Sequence, residues 1–250
     1  MHLSESGDRD GAPVLLLHGG GVAGWMWTEL RKVLEADHLV LVPDLPGHGG
    51  SADEDYRSHS STVDVLATVL RRSARGPAAV IGFSLGAQLA MRLASEHPDL
   101  VGRVMIVSAQ ARPLPFARAT LLLLGLAAPL SRRRWFARLQ ARELFIPDES
   151  MEDYIRTSAR ISRRTLLEAV GENLRFEIPA GWSDVTGDAL VMAGSRERSV
   201  MRRSAAAIHE ALPGSILEII DGGGHGIPLQ RPEWFAARVA RWLSADGSPG

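Results

Sequence analysis

A mostly parallel β-sheet covered on both faces by helices, and interrupted by one helical insertion, is the α/β fold that the sequence predicts. Three observations predict it. Six short runs are apolar on successive residues, as strands buried on both faces are. Longer helical patterns separate them, and strand–helix–strand alternation builds parallel sheets. Between Ser108 and Asp188 the alternation stops, and helix formers punctuated by Pro113, Pro115, Pro129, Pro147 and Pro179 take over. A chain of 250 residues, 45% hydrophobic and 23% charged, can bury the core that one such body needs.

Taken in order, Val14–Leu17 and Leu39–Val42 read as strands, and STVDVLATVLRRSA (Ser61–Ala74) reads as a helix. The strand Ala79–Ile81 then feeds a helix at Gly86–Glu96, and Val104–Val107 is the next strand. The insertion follows, so the expected division is a core of residues 1–109 and 187–250 with a cap of residues 110–186. Its one greasy run, Ala119–Leu130, is short of the ~20 apolar residues that span a bilayer and is expected to be a buried or pocket-lining helix. From Arg112 to Arg164 the insertion holds eleven arginines against five acids, a net of +6. Such a run reads as a solvated helical face or as a docking surface for an acidic substrate or carrier. Leu190–Met192 and Ile216–Ile220 resume the strands, alternating with helices at Met201–Leu212 and Pro232–Leu243; the tail Ser244–Gly250 is expected to fray.

Composition excludes several classes of function. A net charge of −1 gives no overall basic field for nucleic acid, so no nucleic-acid partner is expected. With no cysteine there is no disulfide, thiolate-bound zinc or cysteine nucleophile. The amino end, Met1 to Asp8, has neither the basic nor the apolar region of a secretory signal, so the expected compartment is the cytoplasm, with no stable membrane association.

The strand at 79–81 runs straight into Gly82-Phe83-Ser84-Leu85-Gly86 and then into a helix. A G-x-S-x-G sequence in that setting is a turn so tight that its serine takes a strained backbone conformation. Glycines two residues before and two after leave room for it. The serine hydroxyl is lifted to the carboxyl end of the sheet, beside a helix amino end whose free N–H groups favour negative charge. Ser84 is therefore the candidate nucleophile. His18-Gly19-Gly20-Gly21 follows the strand at 14–17, and its glycines let backbone amides approach a ligand closely. An oxyanion hole is expected from the amide of Leu85 and one from the Gly20, Gly21, Val22 turn, with His18 bracing the loop. A serine needs a base, and His225 stands among glycines in Gly222-Gly223-Gly224-His225-Gly226, directly after the strand at 216–220. An acid must orient that base. Glu197, after the strand at 190–192, is the candidate; Asp221 is its rival, four residues from His225 on the same loop, and Asp188 lies at the wrong end of its strand.

Together these residues resemble the α/β-hydrolase superfamily, over nearly all of the chain outside the insertion. Asp44-Leu45-Pro46-Gly47-His48-Gly49-Gly50-Ser51 is similar to the family's D-x-P-G-x-G-x-S turn, and Pro228 to Glu233 to the stretch after its histidine. The resemblance implies an α/β-hydrolase fold whose eight-stranded sheet carries a helical cap after the sixth strand. Only thirteen residues precede Val14, so the family's first edge strand is expected to be missing, leaving about seven strands. The order Ser84, Glu197, His225 is that expected for the family, with Glu where Asp is commoner.

The function expected is a serine hydrolase acting on an ester, lactone or thioester of a small molecule with an apolar acyl or alcohol part. Phe83, Leu85, Trp25 or Met26 and the cap's Leu121–Leu126 are expected to line an apolar pocket, and neither metal nor cofactor is required. Two other readings keep the fold. The same three residues could serve acyl transfer, cyclisation, carbon–carbon cleavage or a lyase, or the fold could act as a silent small-molecule receptor. No oligomeric state is assigned.

Overall fold

Parallel strands buried on both faces need apolar side chains at successive positions, because alternate residues point to opposite sides. In the computed structural model, which describes residues 1–113, 115–127 and 133–244, the strand β2 (Ala12–Leu17) obeys this rule. Leu15 and Leu17 enter one apolar cluster and Val14 and Leu16 the other. The same division runs through β3 (His38–Pro43), β4 (Ala78–Phe83), β5 (Val101–Val107) and β6 (Asp188–Gly194). With β1 (Leu3–Gly7) and β7 (Ile216–Ile220) they make a seven-stranded sheet of order β1-β3-β2-β4-β5-β6-β7. Only β1 is antiparallel, pairing Leu3 with Pro43 through Gly7 with Leu39. The six strands expected from the sequence are present, five of them extended by one to three residues at an end and β7 with the bounds expected. The edge strand β1 was not legible because its LSESG sequence is mostly polar and its pairing supplies what its side chains do not.

Helices α1 (Thr28–Leu34) and α10 (Pro232–Ser244) pack together over one face. The other face is covered by α2 (His59–Ser73), α3 (Leu85–Glu96) and α8 (Ser199–Glu210). After β2 the chain adds β3 on one side and then crosses to add β4 on the other. The loops leaving β2 and β4 thus diverge at the carboxyl edge of the sheet and open a crevice there, where ligands bind in open α/β sheets.

Between β5 and β6 lie α4 (Ala117–Ala127), α5 (Arg134–Glu143), α6 (Met151–Arg160) and α7 (Arg163–Arg175), with no strand among the described residues. The greasy run, expected to be a buried or pocket-lining helix, is so in part only. Leu122, Leu123 and Leu126 are exposed, and α4 turns inward chiefly through Leu124 and the buried Gly125, because α7 is its main packing partner among the described residues. Its last expected residues, 128–130, and the expected frayed tail beyond Ser244 lie outside the described residues. Among those residues no helix is long and apolar enough to cross a membrane.

Candidate active site

Ser84 ends β4 and begins α3 with φ of 52° and ψ of −111°, a conformation a side-chain-bearing residue adopts only under constraint. The constraint is close packing of backbone on backbone. A Cβ on Gly82 would overlap the carbonyl oxygen of Gly86, and one on Gly86 would overlap that of Leu17. Gly82 lets α3 fold back against β4 and Gly86 lets it approach β2, which together leave the Ser84 side chain in the crevice.

His225 lies on the loop between β7 and the short helix α9 (Ile227–Gln230). Its Nε2 is 3.2 Å from Ser84 Oγ, and its Nδ1 is 2.9 Å from Glu197 Oε2. Glu197 has a fully buried side chain, and its other oxygen, Oε1, accepts 2.8 Å hydrogen bonds from Ser108 Oγ and from the backbone N–H of Gly194. A buried carboxylate with three hydrogen bonds has its lone pairs compensated, which burial demands. The two loops are stitched together: the N–H groups of Ser195 and Arg196 donate to the carbonyls of Ile220 and Gly223, and Gln230 Oε1 accepts from the N–H of Gly224. Phe83 lies against the His225 ring at a centroid distance of 5.3 Å.

Asp221, the rival acid, is exposed and 3.4 Å from Ser195 Oγ, away from His225. Asp188 pairs with Arg103 at the start of β6. The arginines flanking Glu197 form no ion pair with it among the described residues; Arg202, a turn along α8, instead donates to its backbone carbonyl. Ser108 is the residue that sequence reasoning missed. It follows β5 with φ of 55°, is buried, and its only signal was being a small polar residue directly after an apolar strand.

Gly20 and Gly21 line the same cavity as Ser84 and Leu85, and a Cβ on Gly20 would stand 3.9 Å from Leu85 Cδ2. The N–H groups of Ala87 and Gln88 are directed to the Ser84 carbonyl, whereas that of Leu85 has no acceptor among the described residues. Val22 is buried in the core on the α1 side, so only its backbone is available to the site. His18 fixes this loop: its Nδ1 donates to the Gly19 carbonyl at 2.8 Å, and its Nε2 accepts from the N–H of Leu45 at 2.8 Å. Complete burial, reinforced by the neighbouring His48, pushes its pKa down to about 3, so the ring stays a neutral brace. Burial lowers His48 as well.

These groups open into a cavity of about 440 Å³. Gly20, Gly21, Phe83, Ser84, Leu85 and His225 form its floor, and Leu124 of α4, Phe136 and Leu144 around α5, Tyr154 of α6 and Leu166 and Val170 of α7 form an apolar roof. Burial pushes the Tyr154 hydroxyl up to about 12, so it remains a hydrogen-bond donor at neutral pH. Two expected pocket residues are elsewhere. Trp25 donates from its indole N–H to Thr157 Oγ1 at 3.1 Å, tying the core to α6, and Met26 is packed in the core beneath. Both lie on a tight helical turn, residues 24–27, that turns them away from the cavity. Of the cap leucines expected there, only Leu124 lines it.

A serine hydroxyl hydrogen-bonded to an imidazole that is held by a carboxylate, at a helix amino end whose Leu85 N–H has no acceptor among the described residues, is an arrangement able to attack a carbonyl. The chain is 25% identical over 263 residues to the (E)-2-((N-methylformamido)methylene)succinate hydrolase of Acinetobacter baylyi, covering 97% of this chain and 93% of that protein. An esterase from Exiguobacterium antarcticum superposes with a TM-score of 0.84 at 18% identity, covering 98% of this chain and 95% of the other. The enol-lactonase of Burkholderia xenovorans superposes at 0.83 and 17% identity, covering 98% and 96%. Those two likenesses bear on the fold. Residues 14–238 match the family described as the alpha/beta hydrolase family, a span that runs from β2 into α10 and carries every strand of the parallel sheet. The chain belongs to the alpha/beta hydrolase family.

Proposed function

We propose that this protein is a serine hydrolase that cleaves a carboxylic ester, lactone or thioester with an apolar acyl or alcohol part. The observation that carries the reading is the continuous hydrogen-bonded chain Ser84–His225–Glu197 at the mouth of an apolar cavity. His225 Nε2 takes the Ser84 proton as Oγ attacks the substrate carbonyl carbon. The oxyanion is held by the N–H of Leu85 and one from the Gly20, Gly21, Val22 turn, and Glu197 stabilises the imidazolium. As the tetrahedral adduct collapses, His225 returns the proton to the leaving alcohol or thiol, leaving an acyl-enzyme. Water then gives its proton to His225, attacks the acyl carbon and releases the acid, with the proton passing back to Ser84.

The hydrolase, esterase and lactonase names of the similar proteins support the hydrolytic reading. The test is incubation with a fluorophosphonate, peptide mapping of the adduct, and a series of short- to medium-chain p-nitrophenyl esters. A tag on Ser84 with ester turnover, both abolished in Ser84→Ala, is expected. An untagged Ser84 would remove the nucleophile and the reading with it.

A further inference from the structure

The helices that roof the cavity expose apolar side chains on their outer faces. On α4 the exposed residues Ala119, Leu122, Leu123 and Leu126 fall at i, i+3, i+4 and i+7, one stripe along the helix. The three leucines are 67%, 66% and 73% exposed. Phe116, just before α4, is 82% exposed and has φ of 61°, so a bulky residue pays conformational strain without gaining any packing. On α5 the stripe of the same spacing is Trp135, Arg138, Leu139 and Arg142, all exposed, while Ala137 and Ala141 face inward.

Cations accompany these side chains. Arg118, Arg133, Arg138 and Arg142 are exposed and have no carboxylate partner among the described residues. A helix face that mixes leucine and tryptophan with unpaired arginine has the composition of a segment lying in a lipid–water interface, its apolar groups among acyl chains and its cations on headgroup phosphates. A second copy of this chain is a poorer occupant. Two-fold pairing sets a patch against itself, and here it would set unpaired arginines against unpaired arginines.

We propose that the outer faces of α4 and α5 form a docking surface for an anionic lipid interface. The stripes are short, so docking is reversible, and it presents the cavity roofed by the same two helices to amphiphilic molecules held in that interface. Docking requires no catalytic step and stands apart from the hydrolytic reading.

Co-sedimentation of the full chain with vesicles of phosphatidylglycerol and phosphatidylcholine, and with vesicles of phosphatidylcholine alone, tests it. Binding to the anionic vesicles that weakens as salt is raised is expected, with little binding to the neutral ones. Combined Leu122→Ser, Leu123→Ser and Leu126→Ser should lower the partition coefficient by about tenfold or more. Arg138→Glu with Arg142→Glu should do the same. Both variants should keep the parent's thermal transition. No binding, equal binding to both vesicles, or binding unchanged in either variant would overturn the proposal. So would a dimer in lipid-free sedimentation velocity that the leucine variant dissolves, since the face would then belong to a second copy.

Discussion

Glu197 stands where a carboxylate is costly to place. Its side chain is fully buried, and every interaction that compensates it is specific: Ser108 and the Gly194 N–H on Oε1, His225 on Oε2. In Glu197→Gln the amide would offer N–H to groups that are themselves donors, and the imidazole would lose the charge that holds its Nδ1 proton. kcat for a p-nitrophenyl ester should fall by about 10³–10⁴ with KM little changed. Ser108→Ala leaves the carboxylate in place and removes one of its supports, so a loss of about tenfold in kcat is expected. An equal loss in both variants would mean that Ser108 touches the reaction itself. At this scale the sequence was informative where chemistry needs glycine. Ser84, His225 and Gly20 stand among glycines whose purpose is close approach of backbone, and that pattern is local in the chain. Ser108 acts across 89 residues and carries no such mark. Trp25 and Met26 were misplaced because a turn of a few residues decides which way they face.

Helix α7 is fastened to the core by a buried polar cluster rather than by apolar packing alone. His59, at the start of α2, has its Nδ1 3.0 Å from the Tyr56 hydroxyl and its Nε2 2.9 Å from Gln88 Oε1, to which Asn173 of α7 also donates at 3.2 Å. Glu172 of α7 accepts from the His59 backbone N–H at 2.9 Å and lies 3.4 Å from Nδ1. The His59 side chain and that N–H hold the Glu172 carboxyl down to about 2, against an ordinary value of 4.5. Between those values the unfolded chain binds the proton that the folded chain refuses. The contribution to stability is therefore complete above about pH 4.5 and is lost as the pH falls through about 2. Solvent screens this partly exposed group, so its share is modest. Thermal melts between pH 5 and about 2.5 should show the parent's Tm falling more steeply than that of Glu172→Gln, the two curves converging at the acid end. Parallel curves would place the acid sensitivity elsewhere. None of this cluster was legible beforehand, since His59 and Glu172 lie 113 residues apart and each member reads alone as an ordinary surface residue.

Across the whole molecule the sheet was the most legible feature, because double-sided burial writes itself as uninterrupted apolar runs. The exceptions are structural in cause: β1 is polar and paired along one edge, and α4 is apolar yet largely uncovered. Charge is divided as unevenly as the apolar surface. Residues 112–164 carry +6 while the chain as a whole carries −1, so the remainder carries −7. Arg138 and Arg142 belong to α5, whose Phe136 and Gln140 line the cavity, so these cations stand on a helix that borders the site. Their field acts on approach, over distances comparable with the ~10 Å screening length at moderate salt. For a p-nitrophenyl ester with a free carboxylate at its far end, kcat/KM should fall several-fold as ionic strength rises from about 0.01 M to about 0.5 M. For a neutral ester of the same length it should stay nearly flat. Glu143, the one acid lining the cavity among the described residues, works against the effect, so Glu143→Gln should enlarge the difference between the two esters. If both esters respond alike to salt, the basic insertion does not act on substrate, and its charge is to be sought in what its outer face meets.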